Sequence, residues 1–267
     1  MRNLLNESFS RLFKTKSFKV CLFINIIMPA FMIGLMKYLS ASLNDEPNMS
    51  ADDNLFFMTG MLPIFISIGC GLFIAKDFQQ NTVRNKVICG YSRTAIYMTN
   101  WITSAFITLL YHFASTIVAV VLSAALFETG ELFTKVNIYY SLICIPVLLS
   151  FTSITVAMTM SIRNTAGAIF SFLIHELSAM FAILTFFIES EAFAKFLNYF
   201  MPMSQLSIIQ MRNYNDGMFA IDTNYSEIMG YMIPEGFDAV AIPLYAVILI
   251  VAVTALGIWN FNKKDIK

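Results

Sequence analysis

Two histidines, four cysteines and one carboxylate inside an apolar run are the residues of this chain with chemistry to offer. His175-Glu176 opens like a zinc-protease helix, where two histidines on one helical face hold the metal and the glutamate acts as base. No second histidine follows at that spacing, so the ligand set is too small for a metal. Gly69-Cys70-Gly71 is a poor dinucleotide fingerprint and a good close-packing site between helices. No G-x-x-x-x-G-K-[ST] phosphate loop occurs, so ATP binding by this chain itself is not expected. The paired glutamates of an intramembrane protease are also missing. The sequence therefore supports no catalytic residue, no metal site and no cofactor held by the chain.

His175-Glu176 still needs a reading. Ionisable groups in the middle of an apolar span are costly, and they usually face the bundle interior. The pair reads either as a polar contact in a substrate path or gate, or as structural residues bonded to hydroxyls such as Thr152, Ser153 or Thr155. Adjacent residues point about 100° apart on a helix, so the two do not pair with each other.

The elements that position these groups are apolar. The chain is 58% hydrophobic and 13% charged over 267 residues, against roughly 25% charged in a soluble domain. Lipid is the solvent such a composition requires. Six stretches are long enough to span: Phe18–Leu39, Leu55–Ala75, Ile96–Phe127, Val136–Ile162, Ala166–Ile188 and Val240–Phe261. The first is too long for a signal-peptide core and is read as retained. Between the spans, charge sorts by side. With the N-terminus inside, 13 of the 17 basic residues lie on the inner segments and 13 of the 17 acids on the outer ones. That asymmetry predicts cytosolic N- and C-termini. Cys21, Cys70 and Cys144 read as small apolar packing residues, and no cysteine sits in an outer loop. Ser115, Ala119, Ser123 and Ser153, Ala157, Ser161 read as helix-packing stripes.

The fold expected is all-α: a polytopic membrane protein forming one transmembrane domain over residues 1–267. Residues 1–17 predict an interfacial amphipathic helix, with Leu5, Phe9, Leu12 and Phe13 on one face and Arg2, Asn6, Glu7, Arg11 and Lys14 on the rest. Tyr97 to Trp101 are expected at the membrane interface. The outer segment 189–238 carries seven acids against two bases. Its first half, broken at Pro202, predicts two short re-entrant or interfacial helices at the outer leaflet, and Arg212–Asp238 reads as an exposed loop.

The inner loop 76–94, KDFQQNTVRNKVICGYSRT, is too organised for a plain hairpin. Asp77 is expected to cap a short helix that Gly90 ends. Val83, Val87 and Ile88 would form its apolar face, with Arg84, Lys86 and Arg93 pointing elsewhere. Such a helix suits a cytosolic partner; a solvated positive-inside loop is the plainer reading.

Together these parts resemble the membrane subunits of ABC-2-type ATP-binding-cassette exporters. The likeness covers essentially the whole chain: the N-terminal helix ending in RLFKTKSF, six spans, the basic loop, and the longer outer segment before the last span. Bacterial members often read close to D-F-x-x-G-T-x-R-N-K-L-x-x-G-x-S-R in the loop. Here Asn81 stands where glycine is common. Thr82, Arg84, Asn85, Lys86, Gly90, Tyr91, Ser92 and Arg93, together with Asp77, match by position. The resemblance implies that this loop is a coupling helix seated on a separate cytosolic ABC ATPase, which binds ATP and magnesium. It implies a second permease subunit, identical or different, and a bacterial cytoplasmic membrane. Arg163 and Asn164, in the Ile162–Thr165 turn, would lie near the same partner. The function implied is export of a substrate, with hydrophobic or amphipathic peptides and lipids favoured; nucleic acid is not a partner. A membrane scaffold or immunity component is one alternative. An ion-coupled carrier is another, which inverted repeats and several intramembrane charges would favour.

Overall fold

Backbone in hydrocarbon must satisfy its hydrogen bonds within its own segment, so apolar runs of this length fold as helices. The computed structural model describes residues 1–42, 56–127, 135–184, 191–212 and 238–264, and these contain α-helices and a short 3-10 turn but no strand. The helices are α1 (Arg2–Leu12), α2 (Lys16–Ser42), α3 (Leu62–Gln79), α4 (Thr82–Ile88), α5 (Arg93–Leu126), α6 (Lys135–Ile162), α7 (Thr165–Leu184), α8 (Glu191–Phe200), α9 (Pro202–Arg212) and α10 (Asp238–Lys263). The 3-10 turn Phe57–Met61 leads into α3.

Among the described residues, five stretches are long and apolar enough to cross a membrane: Lys16–Leu39, Thr59–Gln79, Arg93–Leu126, Asn137–Ile162 and Val240–Lys263. The fifth span expected from sequence coincides with α7, whose apolar run over described side chains, Thr165–Met180, is shorter than these. Residues 185–188 of that expectation lie outside the described residues, as does nearly all of the expected outer loop Arg212–Asp238.

Two helices form the middle of the bundle. The apolar cores of α3 and α6 are 61% buried, against 28% for α2 and 22% for α10. α3 packs on α2, α5, α6 and α7, and α6 packs on α3, α5, α7, α9 and α10. Small residues let them approach. A Cβ on Gly71 would stand 2.5 Å from the Ala168 Cβ, and one on Gly167 would stand 2.6 Å from the Thr159 Cα. The α3–α7 and α6–α7 contacts therefore depend on glycine, as membrane helix pairs commonly do. Ser115, Ala119 and Ser123 are all buried.

Polar side chains close the interior. Thr108 and Thr152 share a hydrogen bond of 2.7 Å, and Trp101 Nε1 donates to Ser153 Oγ at 2.9 Å. Tyr97 is fully buried and packs on Phe261. The start of α5, where Tyr97 and Trp101 lie, packs against α6 and α10. The helix break expected at Pro202 is present, between α8 and α9. Leu206 and Ile209 of α9 are buried, while Phe193, Phe196 and Phe200 of α8 stay exposed.

Candidate functional site

The loop between α3 and α5 owes its shape to two left-handed residues. α3 runs past its apolar stretch to Gln79. Asn81 then takes φ 55, a region in which asparagine is the best tolerated residue after glycine. α4 follows, and Gly90 at φ 87 ends it. Gly90 N donates to Val87 O at 3.0 Å and Tyr91 N to Lys86 O at 3.2 Å, the paired bonds of a Schellman stop. Ser92 caps α5, its Oγ accepting from Ala95 N at 3.2 Å. The expected helix and its glycine stop are there. The expected cap is not: Asp77 lies inside α3, because that helix continues beyond the apolar run.

α4 has two faces. Val83, Lys86 and Val87, at i, i+3 and i+4, turn toward the bundle, with Val83 buried and Val87 half-buried. Asn81, Arg84, Asn85 and Ile88, at i, i+3, i+4 and i+7, are exposed. Two expectations are corrected here. Ile88, assigned to the inward apolar face, is 73% exposed. Lys86, assigned to the outward basic set, is buried.

The reason is a charge cluster. Asp77 is buried on α3 and takes a bidentate contact from the Arg11 guanidinium of α1, one arm of which measures 2.7 Å. Lys86 Nζ lies 3.2 Å from Glu7 Oε2 and 3.9 Å from Asp77 Oδ2. Two cations and two carboxylates thus join α1, α3 and α4. Arg11 also sits over the Phe73 ring at 5.3 Å. Asp77 and Lys86 are therefore internal fasteners rather than partner contacts. A carboxylate buried away from water needs its charge answered at short range, and Arg11 and Lys86 answer it here.

α1 turns to suit the cluster. Its buried side chains are Leu4, Ser8 and Leu12, rotated from the expected stripe, and Phe13 is left 52% exposed. Phe9 meets Phe106 of α5 edge-on at 5.1 Å. Glu7 and Arg11, expected on the polar face of an interfacial helix, instead join the cluster. Their i, i+4 spacing, which puts both on one side of a helix, was the available signal.

The same end of the bundle gathers three more termini. Arg93 Nη1 donates to the carbonyls of Asn262 at 2.8 Å and Lys264 at 2.7 Å, at the end of α10. Asn260 Nδ2 donates to Ser161 Oγ at 2.7 Å, and Lys264 Nζ to Ser161 O at 3.1 Å. The Ile162–Thr165 turn is therefore beside the end of α10. In it Arg163 is left-handed at φ 66, and Asn164 Oδ1 caps α7 by accepting from Ala166 N at 2.9 Å. Of the loop residues singled out in the sequence, Arg84, Asn85, Gly90 and Ser92 are exposed, Thr82 and Tyr91 are half-buried, and Arg93 faces α10.

Residues 12–267 match a family described as a protein of unknown function, DUF2705. The chain belongs to the DUF2705 family. No curated protein matches it. That family's span takes in the loop, both left-handed residues and the end of α10, but starts just after Arg11.

His175 and Glu176 lie apart from this site. His175 is buried, its Nε2 3.2 Å from Thr155 Oγ1 and its ring edge-on to Phe151 at 4.8 Å. One hydroxyl partner from a neighbouring helix is the structural arrangement the sequence offered. Glu176 is half-buried, between the packed face and the outward side chains Ile169, Leu173 and Met180. Among the described residues, no group of histidine, cysteine, aspartate and glutamate is arranged to hold a metal.

Proposed function

We propose that this protein is the membrane subunit of an ATP-driven exporter of the ABC-2 type, with α4 as the helix that seats on a cytosolic ATPase. The observation that carries the reading is the division of α4. Its inner face is fixed to α1 and α3 by Lys86, Asp77, Arg11 and Glu7, while Arg84, Asn85 and Ile88 project as a small basic and apolar knob. A helix held this firmly on one side and left unpaired on the other is suited to pass a push into the bundle. In this reading α7 is the sixth crossing, both termini face the cytosol, and α1 lies along the inner leaflet. α8 and α9 sit at the outer leaflet. Two membrane subunits face each other, and the partner chains bind ATP and magnesium. ATP acts through its preference for one arrangement of the partner pair, and α4 carries that preference into the bundle.

The test is recovery of an ATPase subunit with the tagged membrane chain. Arg84→Glu combined with Ile88→Asp removes the knob without touching the charge cluster. A contact of hot-spot size, about 2 kcal/mol or more, loses more than tenfold in affinity. The double variant should insert and melt like the parent while the ATPase is lost. Unchanged ATPase recovery would remove α4 from the partner contact.

A further inference from the structure

The loop ends on a residue whose side chain belongs to another helix. Arg93 is the first residue of α5, where a cation opposes the positive N-terminal end of that helix. The same guanidinium reaches the carbonyls of Asn262 and Lys264, where α10 has run out of intrahelical donors. A cation there is favourable on both counts, charge and hydrogen bonding. The surrounding contacts repeat the connection. Asn262 Nδ2 approaches Thr94 Oγ1 at 3.4 Å, and Tyr97 packs against Gly257 and Phe261. α10 is otherwise among the least buried of the long helices, with its firmest contact on α6.

We propose that Arg93 is a positioning residue, which fixes the carboxyl-terminal end of α10 to the root of the docking loop so that α10 moves with the loop. This rests on the reading of α4 as the partner-docking helix. The consequence is a second route into the bundle. One route runs from α4 through the charge cluster to α1 and α3. The other runs from the loop through Arg93 to α10, and through Ser161 to the α6–α7 turn. Arg93 then does not touch the partner. Its effect on coupling passes through the position of α10.

The experiment uses Arg93→Ala, Arg93→Lys and a chain ending at Phe261, which lacks both acceptor carbonyls. The membrane chain alone is melted in detergent. With the latch intramolecular, Arg93→Ala melts lower by about 2–4 °C. In the truncated chain, adding Arg93→Ala changes nothing further, since sites acting through one contact are not additive. Arg93→Lys keeps a donor and a charge and falls between. A parent-like melt for Arg93→Ala overturns the proposal.

Transmission is read in the complex with its ATPase. Single cysteines replace Asn85 on the knob or Trp259 on α10, with Cys89→Ser removing the exposed native thiol. In the parent, nucleotide should change the labelling rate at both places by about fivefold or more. In Arg93→Ala the response at position 85 persists and that at 259 is lost. A surviving response at 259 overturns the proposal. So does a loss of ATPase recovery in Arg93→Ala that also appears in the truncated background, because Arg93 would then be meeting the partner directly. If no ATPase accompanies even the parent chain, the docking reading fails. The contact with α10 then stands or falls on the additivity of the melts alone.

Discussion

The charge cluster at the loop and the histidine in the bundle solve the burial of polar groups in different ways. At the loop end, Asp77 meets Arg11 and Lys86, and Lys86 also meets Glu7, so each buried charge has an opposite one. In the bundle, His175 has a single hydroxyl partner and an aromatic neighbour, and the carboxylate beside it is turned toward the rim. The first arrangement joins three helices and resists being pulled apart. The second ties α7 to α6 by one bond and leaves Glu176 available. Charge pairing is concentrated at the loop end, and the polar group with freedom lies at the edge of the packed face of α7.

Removing Asp77 should produce the largest effect. Asp77→Ala removes the partner of the half-buried Arg11 guanidinium and leaves Lys86 only Glu7, and breaking a buried pair costs about 3–5 kcal/mol. For a chain of this size that lowers the melting temperature by roughly 2–4 °C per kcal/mol. Thermal unfolding of the membrane chain alone measures it. A loss below that of any single change at His175 would reverse the ranking of the two regions.

The middle of the range belongs to His175 and Thr155. Interhelical hydrogen bonds in membrane proteins average about 0.6 kcal/mol and reach about 1.7. A double-mutant cycle with His175→Leu and Thr155→Val should return a coupling in that interval. Zero coupling would mean that the 3.2 Å contact holds nothing together.

Glu7 should matter less. It is 44% exposed, so its bond to Lys86 is a partly solvated ion pair, of the kind worth about 0–1 kcal/mol. Glu7→Gln should shift unfolding slightly, and less at high salt. A large, salt-independent loss would put Glu7 in the same class as Asp77.

The sequence made the apolar helices, the loop helix and its glycine stop legible, because length, hydropathy and turn residues are local properties. The break at Pro202 is local as well. The charge cluster was not. Reading the loop as a segment gave Asp77 a capping role and Lys86 an outward one. Instead Asp77 meets Arg11, 66 positions away in sequence, and Lys86 turns inward to Glu7 and Asp77. Ile88 and Val83 look equivalent in composition; only the packing of α4 against α3 and α5 separates them, one exposed and one buried. Arg93 was legible as a cation at the end of a basic loop. Its acceptors are backbone carbonyls at the end of α10, and no side-chain pattern announces those. His175 is the contrary case, since the list of hydroxyls that could meet it contained the right one.

Glu176 should show the smallest change in stability and is the sharpest test of the contrast. Position 175 takes the interior, so position 176 points about 100° away, to the edge of the packed face. The side chain has no ion-pair or hydrogen-bond partner among the described residues. Glu176→Gln keeps the shape and removes the charge, so unfolding should move by no more than about 0.5 kcal/mol, as for substitutions away from any special feature. Glu176→Leu should be tolerated equally, since no bond is lost and the neighbours Ile169, Leu173 and Met180 are apolar. On the exporter reading proposed above, transport is the measurement expected to respond, because an ionisable group in an apolar helix without a structural partner carries a cost. A Gln variant that melts as low as His175→Leu would show that Glu176 is held in place by another group in the assembly. The bundle would then carry a second fastener like the one at the loop, and the difference between the two regions would disappear.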